Sequence, residues 1–201
     1  MDWWRADGNA NDSSGGNHNG TLLDGATYDA GKIGQAFSFG PGANRVYVPD
    51  SNDFKLTNSL SIAAWIYIKD NCWHVLERAA SDSGSWTYTF GVDLAGHLIF
   101  GLNNFSTGSD ILSTPITYNQ WKHVAATWDR ATREMRIYID GALAAQKVST
   151  IIPSGEIPSP QPGIGIGNTP VIAGWPFIGL IDEVLLYSRA LSPSEVAFLQ
   201  L

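Results

Sequence analysis

The segment Ser59-Leu60-Ser61-Ile62-Ala63-Ala64-Trp65-Ile66-Tyr67-Ile68 decides the fold class. Leu60, Ile62, Ala64, Ile66 and Ile68 recur at every second position, with Ser61, Ala63, Trp65 and Tyr67 between them. Successive strand side chains point to opposite faces, so this period gathers the apolar set on one face, whereas a helix would mix the two sets. Outward from it, short apolar runs alternate with Gly, Asn, Asp and Pro, and further strands are predicted at residues 45–48, 73–78, 87–93, 97–102, 122–129, 134–140, 142–147, 163–167 and 177–187. Leu94-Ala95-Gly96 and Asp140-Gly141 are hairpin connections, the second of the type favoured in two-residue loops. Roughly ten to thirteen strands would make two packed antiparallel sheets, an all-β sandwich. One short helical turn is expected at the C-terminus, where Ser192-Pro193-Ser194-Glu195 supplies an N-cap, a proline at the first helical position and a glutamate three residues after the cap.

The composition narrows function by exclusion. The chain has 201 residues, 12 Lys+Arg against 19 Asp+Glu, and a formal charge of -7. Such an acidic balance argues against a nucleic-acid partner. No apolar run is long enough for a membrane span, and the opening Met1-Asp2-Trp3-Trp4 is not a signal peptide. The single Cys72 permits no internal disulfide, and with His74 two residues on it forms no known catalytic spacing; a semi-buried thiol is expected. With no repeat and no linker, residues 1–201 read as one domain.

Asp182 and Glu183 adjoin in a predicted strand, between Leu180, Ile181, Val184 and Leu185. At least one carboxylate therefore enters apolar surroundings and must be neutralised by a basic side chain, by backbone N–H groups or by a metal ion. The segment Asn9-Ala10-Asn11-Asp12-Ser13-Ser14-Gly15-Gly16-Asn17-His18-Asn19 is a loop rich in the oxygen ligands that a hard cation takes. It is not an EF-hand: counted from Asp7, His18 falls where the bidentate glutamate belongs. Asx-turns in the loop and an Asp182–Arg189 pair are the alternative without a metal.

Blocks in family order give a resemblance over nearly the whole chain: Trp4 to Leu22, Gly31-Lys32-Ile33-Gly34-Gln35-Ala36-Phe37, Leu60 to Ile66, Trp121-Lys122-His123-Val124, Arg136 to Gly141, and Gly179-Leu180-Ile181-Asp182-Glu183-Val184. The chain resembles the laminin G-like domains of the concanavalin A-like lectin/glucanase superfamily. The resemblance implies a two-sheet antiparallel jelly-roll sandwich, and a structural calcium ion held between the N-terminal loop and the late Asp. Asp12 and Asp182 are the expected carboxylate ligands, with Asn17 or nearby backbone carbonyls completing the shell and Asp7 and Asn19 in reserve. It leaves the ligand open, since this fold serves sugar-binding modules, adhesion domains and glycosidases.

Catalysis by the superfamily's usual route needs two carboxyl groups about 5–9.5 Å apart. The glucanases carry a Glu-x-Asp-x-x-Glu or Glu-x-Asp-x-Glu strand; here Glu77, Glu134, Glu156, Glu183 and Glu195 are scattered, none with an acid two residues on. No enzyme is expected. Trp65, Trp121 and Trp128 fall in the strand blocks, where core is the default, and Trp3 and Trp4 are expected where the termini meet. Trp73, Trp86 and Trp175 instead sit among Ser, Gly, Asn and Pro. Sugars lay apolar C–H faces on aromatic rings and take hydrogen bonds from planar polar groups, so Trp73, His74, Arg78, Trp86, Tyr88, Asn103, Asn104 and Trp175 are the candidate ligand-binding residues. The expectation is a non-catalytic carbohydrate-binding module for an oligo- or polysaccharide, calcium-stabilised, tethered to other domains of an extracellular or cell-surface protein. A protein-binding or spacer domain without a sugar site is the alternative, and a divergent glycosidase ranks below it.

Overall fold

The computed structural model describes residues 1–70, 73–80, 85–158, 162–170 and 174–200. Cys72 lies outside them. The first strands are β1 (Asp2–Trp4), β2 (Thr21–Leu23), β3 (Thr27–Ala30), β4 (Gln35–Phe39) and β5 (Arg45–Pro49). A 3-10 turn at Asn52–Phe54 leads to β6 (Ser59–Ile68), β7 (His74–Ala79), β8 (Trp86–Val92), β9 (His97–Asn104) and β10 (Gly108–Pro115). There follow β11 (Trp121–Asp129), β12 (Glu134–Ile139), β13 (Ala142–Val148), β14 (Gly163–Ile166), β15 (Gly179–Tyr187) and the helix α1 (Pro193–Phe198).

One sheet has the order β13-β12-β11-β6-β15-β4-β3, with β1 added on β15; the other runs β10-β9-β8-β7-β14-β5-β2. All pairings are antiparallel. This is the all-β jelly-roll sandwich that the alternation and the family blocks imply. The period-two reading of β6 holds residue by residue: Leu60, Ile62, Ala64, Ile66 and Ile68 enter the main core with Trp4, Phe37, Tyr88, Phe90, Phe100 and Trp128. Ala63, on the opposite face, joins Tyr138, Leu191 and Val196 beneath α1. That helix has the predicted capping box, Ser192 accepting from the Glu195 N–H and Glu195 from the Ser192 N–H. At the β12–β13 hairpin Asp140 and Gly141 both take positive φ, 49° and 72°, as a two-residue loop of this kind requires.

Strands β1, β2, β3, β4 and β10 escaped the alternation rule. In β10 only Leu112 is buried, so this polar edge strand offers no apolar face to read. The last long strand starts at Gly179, after Phe177 and Ile178, and it is not evenly alternating. Its register on β6 shifts between Asp182 and Leu185, with Glu183 at φ 52°. On the edge away from β6, β4 pairs with Gly179–Ile181 and β1 with Val184–Leu186. The bulge therefore falls where one edge partner hands over to the next. It keeps Ile181, Val184 and Leu186 together in the core and turns Asp182 to the outside of the sheet.

Candidate functional site

The outer face of the seven-stranded sheet carries the most concentrated polar and aromatic chemistry. Across β7, β8 and β9 the register aligns Leu76, Phe90 and Phe100, all in the core, so the adjacent row Glu77, Thr89 and Gly101 faces outward. Glycine at 101 has a spatial cause: a Cβ there would lie 2.9 Å from the Thr89 methyl and 3.0 Å from the Trp86 ring, so the indole rests on the bare backbone. Asn103 fixes that tryptophan by donating from Nδ2 to its backbone oxygen at 2.8 Å. At the other end of the row, His74 Nδ1 lies 3.1 Å from Thr89 Oγ1 and 3.7 Å from Glu77 Oε1. The Trp73 ring is 6.3 Å from the imidazole and meets Trp175 edge to face at 4.8 Å. Trp175, anchored through its N–H to Asn168 Oδ1, remains 41% exposed.

His74 and Glu77 are almost fully buried, at 7% and 4% exposure. Burial drives the imidazole down to about 3 and the carboxyl up to about 8, because both lose the hydration that favours their charged forms. At neutral pH this floor is polar and uncharged. Glu77 was not among the sequence candidates; the available signal was an acid within the otherwise apolar run Val75-Leu76-Glu77-Arg78-Ala79-Ala80.

Five of the eight expected ligand residues, Trp73, His74, Trp86, Asn103 and Trp175, come together on this face. Three do not. Arg78 is 1% exposed and spends its donors inside the fold, on both Asp50 oxygens at 3.1 and 3.2 Å and on the Gly155 carbonyl at 3.1 Å. Tyr88 points the opposite way into the core, its hydroxyl donating to the Phe54 carbonyl at 3.1 Å. Asn104 shapes the β9–β10 turn, accepting from the Ser106 N–H and donating to the Ile152 carbonyl. Trp65, assigned to the core by default, lies instead on the outer face of the eight-stranded sheet. There it lines a cavity of ≈ 320 Å³ with Trp3, Leu185, Tyr187 and Phe198.

Asp12 and Asp182, the expected calcium ligands, each meet backbone N–H groups. Asp12 is held by the N–H groups of Trp3, Ser14 and His18 at 3.1, 2.8 and 3.3 Å. Its neighbours are Asp2 and His18, whose Nδ1 and Oδ1 are in hydrogen-bond contact, and these three residues offer ligand atoms within 4.8 Å of one another. Asp182 is not in that group. Asn17, exposed and at φ 61°, shapes the loop backbone. Asp182 is fully buried and accepts from the Ile33 N–H at 2.9 Å. Burial lifts it to about 6, opposed by that bond and by the N–H groups of Glu183 and Lys32, while the Glu183 charge adds to the rise. The Gly31-Lys32-Ile33-Gly34 loop closes over it so tightly that a Cβ on Gly31 would sit 2.7 Å from Oδ2. Asp182 keeps one oxygen, Oδ1, without a hydrogen-bond partner among the described residues. The N–H groups of Ile33, Lys32 and Glu183 face this carboxylate. Asp182 does not pair with Arg189, which binds Glu195. An imidazole in the Asp2–Asp12–His18 group does not suit the all-oxygen shell of six to eight ligands that calcium takes.

Glu77 has no second acid as a partner among the described residues, so the facing carboxyl pair of glycoside hydrolysis is not formed around it. Within the described residues no helix is long and apolar enough to cross a membrane.

Comparisons with known proteins agree with this architecture. Domain 4 of AbnA, a GH43 extracellular arabinanase from Geobacillus stearothermophilus solved with arabinotriose, is similar at TM-score 0.74 and 21% identity, over 100% of this chain and 97% of that one. The binding domain of Paraclostridial Mosquitocidal Protein 1 gives TM-score 0.70 and 18% identity over 94% of this chain and 48% of that one. The binding domain of Botulinum Neurotoxin DC in complex with SialylT gives 0.67 and 18%, over 94% and 47%. The chain thus spans about half the length of these toxin domains. No curated protein matches by sequence. The profile of the third laminin G family matches residues 40–197, and the chain belongs to that family of the concanavalin A-like lectin/glucanases superfamily.

Proposed function

We propose that this domain is a non-catalytic carbohydrate-binding module that holds a glycan on the outer face of the seven-stranded sheet. The supporting observation is the Trp73–Trp175 edge-to-face pair standing beside the His74–Thr89–Glu77 row. A sugar ring would lay its C–H face on the exposed Trp175 ring and the half-buried Trp86 ring while its hydroxyls meet the polar row. Domain 4 of the arabinanase was solved with a trisaccharide, and that likeness extends over both full chains. In this reading the domain works outside the cell as one unit among others, as domain 4 does in an extracellular enzyme. The protein supplies binding and orientation of the polysaccharide, and the bond cleavage is left to a partner domain.

The test is titration of tryptophan fluorescence and calorimetry with neutral and acidic oligosaccharides, arabinotriose included, with a reducing-sugar assay beside it. Saturable binding lost in Trp175→Ala, with no sugar released, supports the reading. Silence across the panel overturns it, and release of reducing sugar overturns its non-catalytic part.

A second reading, a protein-binding domain, is favoured by the opposite sheet. Its apolar cavity is edged by exposed Met1, Ile33 and Phe198, at 55%, 48% and 72%. Exposed apolar surface of this kind marks contact sites.

A further inference from the structure

The chemistry of the binding face also specifies which glycans it takes, an inference that rests on the carbohydrate-binding reading above. Glu77 sits at the centre of the sheet, on β7 between β8 and β14, opposite Thr89 on one side and Gly165 on the other. Its carboxyl faces the imidazole of His74 at 3.7 Å, beyond hydrogen-bond range. Among the described residues no lysine or arginine contacts His74, Glu77, Thr89, Trp73 or Trp175; the neighbouring Arg78 is turned away and clamped on Asp50. From the surrounding elements, β8 contributes Thr89, β9 Gly101, β14 Gly165, and the segment over Gly165 contributes Asn168 and Thr169, none of which titrates. Beyond them the Tyr47 ring of β5 packs at Gly163. A sugar carboxylate would therefore find aromatic rings and a buried acid but no cation, on a chain whose formal charge is -7. Desolvating an anion without a positive partner is strongly unfavourable.

We propose that this face selects neutral glycans, turning away sialylated and uronate sugars because its described residues offer no cation, and that the Glu77 carboxyl beneath the ligand serves a neutral sugar as a hydrogen-bond donor. The acid form of Glu77 can donate a hydrogen bond to a hydroxyl or ring oxygen, and the neutral imidazole beside it adds one donor or acceptor. Ionising Glu77 would remove that donor and place a negative charge under the ligand. Since burial holds the carboxyl protonated up to about pH 8, affinity for a neutral sugar should fall as pH rises through that value.

Calorimetric titration would be run at pH 6 and pH 9 with neutral trisaccharides of arabinose, xylose, glucose and galactose, with sialyllactose and with trigalacturonate. Wild type and Glu77→Gln are compared, and melting curves at both pH values establish that each protein is folded. The expected result is binding of at least one neutral sugar, with the acidic sugars bound at least about tenfold more weakly. Loss of the proton predicts a fall of about tenfold for wild type between pH 6 and pH 9, and a flat profile for Glu77→Gln, whose amide cannot ionise. Acidic sugars bound as well as or better than neutral ones would overturn the selection, and so would an equal pH dependence in Glu77→Gln. Silence of every sugar would instead overturn the carbohydrate reading, and this inference with it.

Discussion

Two strands of this domain bury an acid among apolar neighbours, and they resolve the problem in opposite ways. On β15, Asp182 lies under the 31–34 loop, where the Ile33 N–H meets one oxygen and the neighbouring amides lower the cost of the charge. On β7, Glu77 receives no such cover, and its proton stays on through neutral pH. The first carboxylate holds a loop to a sheet through Oδ2, with Oδ1 left without a hydrogen-bond partner among the described residues. The second retains bonding capacity beside two tryptophans. Burial alone therefore does not mark a functional acid; the discriminating feature is whether the fold has already supplied its partners.

The largest expected effect breaks the first arrangement. Gly31→Val drives a side chain into Asp182 Oδ2 and the Gln35 backbone, 2.6 to 2.7 Å from where the Cβ would sit. Overpacking against backbone should cost about 3 kcal/mol, a drop of roughly 6–12 °C in Tm for a domain of this size, readable by calorimetry. A Tm within 2 °C of wild type would show that the loop is not tightly latched. The next effect falls on the other region. Trp73→Ala removes the partner of Trp175 and should raise the Kd for a bound sugar about tenfold, as for aromatic anchors in general, while Tm changes far less. If Tm collapsed and Kd held, Trp73 would belong to the scaffold.

A smaller effect separates the buried acid Glu77 from the buried histidines by pH. Glu77 is raised from 4.5 to about 8, so its contribution to stability is full below pH 4.5 and is lost as pH climbs through 8. Burial lowers His74 from 6.5 to about 3 and His123 to about 4, so their contributions are full above pH 6.5 and are lost as pH falls through those lower values. The melting temperature should peak between the two limbs, and Glu77→Gln should flatten only the alkaline one. An unchanged alkaline limb would mean that another group titrates there. The smallest effect is that of chelation: with Asp12 and Asp182 each served by backbone donors, EDTA should move Tm by less than about 1 °C. An ion bound only by the folded state would give a shift that grows with calcium concentration, and such a shift would restore the metal.

Much of the frame was readable from residue order. The alternation in β6, the Asp140-Gly141 turn and the Ser192–Glu195 capping box are local patterns, and local patterns survive into the fold. The aromatic side of the outer face of the seven-stranded sheet was legible too, because Trp73, Trp86 and Trp175 stand in polar, turn-rich sequence where a core residue is out of place. The surroundings of Asp12 and Asp182 were not. Asp12 and Asp182 look alike as oxygen donors in a one-dimensional string, and which backbone N–H groups each meets is decided by a loop folding back from residues 31–34. The direction of Arg78 and Tyr88 was hidden by the register shifts in the β7–β8 pair at His74/Leu76 and Arg78/Ala79. Glu77 was overlooked because a search for catalytic acids looks for pairs, and its significance lies in having no charged partner.

The shared edge of β15 has a consequence for assembly. The Val184–Leu186 half is covered only by the three residues of β1, which arrive from the far end of the chain. Closing that contact joins residues nearly the whole sequence apart, so it carries the highest loop-closure cost in the fold and belongs late in folding. Until β1 docks, the central strand of the larger sheet presents open N–H and C=O groups, a template on which a second molecule can pair. Once docked, Asp2-Trp3-Trp4 covers that edge, with Trp4 sunk in the core as its anchor.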